Sequence, residues 1–381
     1  MSEVKQIGLY LHLPFCTQKC HYCDFSSWAG REDLKQPYLN ALLGELGSYR
    51  TDQQDMVVST IFMGGGTPTL FDGEILVQLL EKCRDTFHIQ DKAEISIECN
   101  PGTADRNKLE TLARGGFNRL SIGLQAWQNH HLENLGRIHR RRHFEDTISW
   151  AKQAGFSNIS ADVIFGLPGQ SWEEWRETLE ETVAAGVTHL SAYSLKIEEG
   201  TVFYQWQQQE KLREMEEEQE RFLYHQGAAL LEELGLKQYE ISNFAYPGWE
   251  CRHNLNYWRN GEYIGCGCSA HSYYQSLRRG NVMDMIQYIE RIQSGMPAAE
   301  FQEETDTQTE VFETLMLGFR LNEGINKEAF HSRFGFSLSE RYRKTIEELK
   351  GQGLLTEDTQ ALRPTSLGFD LQNRIALAFL D

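Results

Sequence analysis

Residues 7–23 read IGLYLHLPFCTQKCHYC. The first eight form a short strand-like run stopped by Pro14, and Cys16, Cys20 and Cys23 follow in the loop behind it with C-x3-C-x2-C spacing. Three thiolates this close can hold three irons of a [4Fe–4S] cluster and leave the fourth iron open to another ligand. Two alternatives stay open on these residues alone. One is a zinc site completed by His12 or His21, although zinc usually has a clearer fourth ligand. The other is a set of reactive surface thiols.

Working outward, strand-like runs alternate with longer helical ones. IGLYLHLP (7–14) precedes PYLNALLGELGSYR, STIFMGGG (59–66) precedes EILVQLLEKCRDTF, and AEISIEC (93–99) precedes ADRNKLETLARGG. RLSIGLQ (119–125), NISADVIFGLP (158–168) and HLSAYSL (189–195) are each followed by a helical pattern, the last by an acidic helix around 214–235. Six β-then-α units in series predict an α/β fold, a partial (β/α)6 barrel of TIM-like type. A doubly wound sheet gives the same periodicity. The barrel is favoured because polar residues stand at the carboxyl ends of several strands, where barrel sites are built.

The expected organisation is a barrel over 1–235, an aromatic, Cys- and Gly-containing extension over 236–300, and a helical module over 301–381. In the last, TEVFETLMLGFRL, KEAFHSRFG and LSERYRKTIEELKGQG read as three helices, LLTEDTQALRPT as a hairpin, and the end as an apolar helix. That pattern is winged-helix-like. A packing or partner role suits it better than DNA binding, because it has no strong basic excess.

Composition narrows the classes. Of 381 residues, 55 are Asp or Glu and 37 Lys or Arg, a net charge of −18. Broad nucleic-acid binding is therefore disfavoured, while a local basic pocket for a small anion is not. No run of about 18 apolar residues suggests a membrane span, and the N-terminus has no leader-like cleavage pattern. The eight cysteines, three of them crowded at one end, are expected to be reduced or metal-bound in a cytoplasmic protein. Cys83 and Cys99 are expected to be buried and inert.

Chemistry-bearing residues collect at the strand ends. Gly64-Gly65-Gly66-Thr67-Pro68 ends the second strand, and consecutive glycines let backbone approach a charged ligand. Glu98, Gln125 and Asp162 end the third, fourth and fifth strands, and Arg137 lies in the loop after the fourth. Singly, each reads as a solvated loop-end residue. In a barrel, all of them converge on the cysteine loop.

The cysteine spacing on the first loop, with GGGTP on the second, resembles the radical S-adenosylmethionine (SAM) superfamily. YLHLPFCTQKCHYCDF, IFMGGGTP, IECNPG, RLSIGLQ, LGRIH and DVIFGLPGQ are similar to the branch holding HemN-type coproporphyrinogen dehydrogenases and HemW-type haem chaperones. The resemblance runs through almost the whole chain. It implies a [4Fe–4S] cluster on Cys16, Cys20 and Cys23, with SAM chelating the open iron. Arg137 then suits the SAM carboxylate, Glu98 and the Gly66–Thr67 backbone its ammonium, and Gln125 and Asp162 its ribose hydroxyls. Tyr10 and Tyr22 lie beside the cluster loop, where the family contacts SAM.

Three features separate the two classes within that branch. The dehydrogenase typically has a fourth cysteine two residues after the third, where this chain has Phe25. It also has a long N-terminal arm, and only nine residues precede Tyr10 here. Finally, His253-Asn254-Leu255-Asn256-Tyr257-Trp258 resembles the H-N-x-x-Y-W haem-binding motif of the chaperones. His253 is thus the expected haem-binding residue, with Cys251 and His271 as rival ligands and Tyr257 and Trp258 as flat apolar surface. On residue types alone the segment is equally a hydrogen-bonded loop packing the barrel mouth. Cys266 and Cys268 read as small loop residues rather than a second metal site.

The resemblance implies a haem chaperone that delivers haem to an acceptor protein, respiratory ones among the candidates, and that forms a homodimer. The alternative is an enzyme carrying out oxygen-independent decarboxylation of coproporphyrinogen III to protoporphyrinogen IX. A third class, a radical SAM enzyme acting on haem itself, would consume haem during turnover.

Overall fold

The computed structural model describes residues 5–49 and 56–380. Arg50, the last residue of the first expected helix, and residues 1–4 and 381, at the ends of the expected barrel and helical module, lie outside them.

Six strands carry the site: β1 (Lys5–Leu13), β2 (Met56–Gly65), β3 (His88–Cys99), β4 (Arg119–Gln125), β5 (Asn158–Phe165) and β6 (His189–Ser194). All five successive pairings are parallel. The intervening helices are α1 (Lys35–Ser48), α2 (Gly73–Thr86), α3 (Arg106–Gly115), α4 (Arg141–Ala154) and α5 (Trp172–Ala184), with α6 (Glu217–Glu233) after β6. Ile7, Leu9, Leu11 and Leu13 of β1 are fully buried, and every residue of β4 is buried. Strands covered on both faces need such apolar runs. Helix α5 starts on a capping box: Ser171 Oγ accepts from the Glu174 amide, and the Glu174 carboxylate accepts from the Ser171 amide.

The strands lie in the sequential order β1 to β6. A doubly wound sheet reverses its strand order at a switch point, and this one does not. The parallel strands are therefore a (β/α)6 barrel. It is open, because β1 and β6 do not pair with each other among the described residues.

Residues after 236 extend the same sheet at both edges. Strands β7 (Lys237–Gln238) and β8 (Asn243–Ala245) attach to β6. Strand β9 (Tyr263–Cys266) runs parallel to β1 and carries antiparallel β10 (His271–Tyr274), β11 (Leu277–Asn281) and β12 (Ala299–Glu304). Between these additions, α7 (Arg252–Trp258) enters the barrel end opposite the cysteine loop. Glu94 of β3 holds it there, accepting from the amides of Arg252 (3.0 Å) and His253 (3.1 Å).

A second apolar core, including Val311, Leu315, Phe330, Ile346, Leu362 and Ile375, belongs to the C-terminal module. There α8 (Thr307–Gly318), α9 (Lys327–Phe334) and α10 (Arg343–Gly351) surround a three-stranded sheet of Ile325–Asn326, Leu355–Glu357 and Ala361–Pro364. This is the winged-helix pattern. The third expected helix breaks at Tyr342, which separates Leu338–Arg341 from α10. Arg333 of α9 ties the module to the extension just after α7, donating to the Asn260 carbonyl at 2.9 Å.

Candidate functional site

The cysteine loop is pinched at its base, where Phe15–Cys16 pairs with Trp28–Ala29 and the Trp28 amide donates to the Pro14 carbonyl at 2.7 Å. Its far side docks on the segment after β4. The His21 amide donates to the Leu135 carbonyl (3.0 Å), and the Gln18 side chain to the Gly136 carbonyl (3.2 Å). This docking brings Arg137 against the loop, with Nη1 3.4 Å from Cys20 Sγ. Thr67 Oγ1 lies 3.8 Å from Cys16 Sγ.

Cys16, Cys20, Cys23, Tyr22, Gly66, Thr67, Glu98, Gln125, Arg137 and Asp162 all line one cavity of about 370 Å³ at the carboxyl ends of the strands. Tyr10 does not. It lines the neighbouring cleft, with its hydroxyl 2.9 Å from His12 Nδ1. His253 is absent from the cavity and lies deep in the barrel interior.

Backbone geometry aims these groups. Gly65 has φ +113°, and a Cβ there would stand 2.4 Å from the His12 ring, so only glycine fits. Its amide donates to Glu98 Oε2 at 3.1 Å. The β4–β5 register shifts between Gly123 and Gln125, and Gln125 takes φ +72°, a conformation uncommon outside glycine. The bulge turns a strand-end amide into the cavity. Arg137 Nη2 donates to the Gly123 carbonyl at 3.0 Å and to Asn100 Oδ1, and Asn100 Nδ2 in turn donates to Thr67.

The buried carboxylates of the cavity hold their protons unless a cation compensates their charge. Burial, and then the neighbouring Asp162 charge, push the Glu98 carboxyl up to about 8. Burial also raises Asp162, against hydrogen bonds from Ser191 and Ser121. Burial raises the Cys16 and Cys23 thiols too, so their thiolates need a positive partner, which iron would supply.

The zinc alternative finds no free ring nitrogen on His12. His12 spends Nδ1 on Tyr10 and Nε2 on the Ser26 carbonyl (2.8 Å). His21 bonds the Asn134 carbonyl through Nδ1 and packs its ring on Phe203 and Trp206.

Sequence reasoning missed Asn100, Ser121 and Tyr193, which also line the cavity. The position of Asn100 directly after the strand-end Glu98-Cys99 pair is a usable signal. Ser121 and Tyr193 carry none beyond lying in strands. Cys83 and Cys99 are buried, with thiols pushed up to about 12 and about 11. Cys266 and Cys268 are buried as well, and Tyr38 OH accepts from the Cys268 amide at 3.1 Å.

A second cleft of about 700 Å³ opens beside the cavity and shares Phe25, Gly65 and Glu98 with it. It lies between β9–β11 and helix α8. Phe25 stands 65% exposed where the two meet.

The profile of the Radical SAM superfamily matches residues 10–182, and that of the HemN C-terminal domain matches residues 305–371. The chain is 36% identical over 375 residues to a protein of Bacillus subtilis named heme chaperone HemW, covering 97% of this chain and 98% of that protein. It is 34% identical over 385 residues to the Escherichia coli protein of the same name, with full coverage of both. Among solved structures, HemN, the coproporphyrinogen III oxidase of Escherichia coli, superposes with TM-score 0.86 at 23% identity, covering 99% of this chain and 90% of that one. That last likeness concerns the fold.

Proposed function

Since the chain belongs to the heme chaperone HemW family of the radical SAM superfamily, we propose that it binds haem and passes it to an acceptor protein. The observation that carries this reading is the pairing of two cavities. A cysteine-lined one fits a cluster and SAM, and a larger cleft continuous with it offers room for a macrocycle.

Cys16, Cys20 and Cys23 would hold a [4Fe–4S] cluster, three sulfur donors with one iron left free for SAM. When bound, cluster and SAM supply one-electron chemistry, and the protein supplies position and shielding. Arg137 offers its guanidinium to the SAM carboxylate. Glu98, with the Gly66–Thr67 backbone, balances the SAM ammonium. Gln125 and Asp162 offer an amide and a carboxylate to the ribose hydroxyls, and Tyr22 in the cavity and Tyr10 in the adjoining cleft offer further contacts to SAM. Phe25 supports a carrier over a dehydrogenase. An exposed phenyl ring at that place can cover a flat ligand, and it cannot ligate a metal.

In this reading the chain has a barrel over 1–235, a haem-binding extension over 236–300 and a partner-facing module over 301–381. It works in the cytoplasm as a homodimer, and a respiratory haem protein is the acceptor. No described helix is long and apolar enough to cross a membrane. The test is delivery. Haem-loaded, cluster-reconstituted protein is mixed anaerobically with SAM and with vesicles from haem-starved cells. Haem appearing in the membrane proteins supports the reading, and haem remaining wholly on the chain rejects it.

A further inference from the structure

We propose that the haem iron is ligated by His271, in the cleft between the barrel rim and the C-terminal module, and that His253 is a structural residue. This rests on the haem-chaperone reading and gives it a site that the H-N-x-x-Y-W motif does not mark.

An imidazole ligates iron through a ring nitrogen whose lone pair is free and reachable. His253 has neither property. It is 1% exposed, with Nδ1 2.8 Å from Thr60 Oγ1 and Nε2 2.9 Å from the Tyr257 hydroxyl, and its ring stacks on Phe62. The space beside it is about 180 Å³, below the range of roughly 300–1,000 Å³ that houses even ordinary organic ligands. Cys251 is no better placed. It is fully buried, with its thiol directed at Glu94 Oε1 (3.6 Å).

His271 differs on each point. It is exposed on β10, its ring nitrogens have no hydrogen-bond partner among the described residues, and it lines the cleft of about 700 Å³. The cleft has the composition of a macrocycle site. Tyr257 and Tyr263 give flat surface, and Leu317 and the Met316 thioether come from α8 across it. Arg278 supplies a cation, paired with Glu313 and stacked over Tyr273, and its buried Nε is without a hydrogen-bond partner. A propionate is the anion such a group would receive. The motif still matters, because Tyr257 spans both places: its hydroxyl holds His253 and its ring forms cleft wall. The cleft also reaches Glu98 and Gly65, so a ligand there borders the cysteine cavity.

The test is a spectroscopic haem titration of the full chain and four variants, with folding checked by circular dichroism. His271→Ala should weaken binding by about tenfold or more and remove the Soret band of the imidazole-ligated haem. In His271→Gly, added imidazole should restore that band, which a purely structural role would not allow. Leu317→Trp, which narrows the cleft, should also weaken binding. His253→Gln should keep the wild-type spectrum and affinity. Unchanged binding in His271→Ala, or loss of the band in folded His253→Gln alone, overturns the assignment. Should His253→Gln fail to fold, the His271 and Leu317 variants decide. Failure of the unmodified chain to bind haem rejects the chaperone reading itself, and this inference with it.

Discussion

His253 Nε2 lies 2.9 Å from the hydroxyl of Tyr257, one helical turn further along α7. With Thr60 on the other ring nitrogen and Glu94 on the backbone amide, this pair locks α7 into the barrel. The motif that resembles a haem site therefore serves packing at one end, and wall-building at the other through Tyr257.

His253→Ala removes both hydrogen bonds and opens a void among Phe62, Thr60 and Tyr257. A loss of about 2–4 kcal/mol in folding stability is expected, read from urea denaturation. A change within about 0.5 kcal/mol would contradict the packing role.

Cys20→Ala deletes a thiol whose sulfur accepts from Arg137. Iron and sulfide content after reconstitution should fall to background. Haem binding should persist, because Cys20 does not line the second cleft. Loss of both together would mean that cluster and haem share one site.

Glu98→Gln keeps the shape of the side chain and the acceptor for the Gly65 amide, and removes its ability to ionise beside a cation. SAM affinity should fall on the order of 10- to 100-fold, measured by equilibrium dialysis of reconstituted protein. Unchanged affinity would detach Glu98 from the SAM ammonium.

Glu45, buried on α1, accepts from the Gly267 amide (2.7 Å), Asn281 Nδ2 (2.7 Å) and Tyr288 OH (2.6 Å). Burial still pushes its carboxyl up to about 7, from an ordinary 4.5. The folded chain thus holds this proton more tightly than the unfolded chain. The resulting stability is full below about pH 4.5 and is lost as pH rises through about 7, on the order of 3 kcal/mol in total. Glu45→Gln cannot titrate. The melting temperature of the unmodified chain minus that of the variant should therefore decline across that window and level off above it. A difference independent of pH would contradict the account.

Much of the barrel was legible because its strands are buried on both faces. Ile7, Leu9, Leu11 and Leu13 announce β1, and side-chain caps such as Asp105 and Ser171 announce α3 and α5. Glu98 and Gln125 reach the cysteine cavity from strand ends as expected, whereas Asp162 lines it from inside β5 instead of from its end, and Arg137 arrives on the segment that docks against the cysteine loop. What the residues did not reveal depends on tertiary context. The bulge before Gln125 has no local marker, and β12 is almost wholly exposed, so no apolar alternation betrays it as a sheet edge. His253 illustrates the sharper limit. A histidine in a motif advertises a ligand, whereas its burial against Thr60 is set by a strand nearly two hundred residues earlier.

On this reading the chain carries haem and does not decarboxylate coproporphyrinogen III. The most direct measurement incubates cluster-reconstituted protein anaerobically with SAM, reductant and coproporphyrinogen III, alongside a haem titration of the same sample. A haem carrier should show saturable haem binding and form no protoporphyrinogen IX. Multiple-turnover formation of protoporphyrinogen IX would contradict that reading.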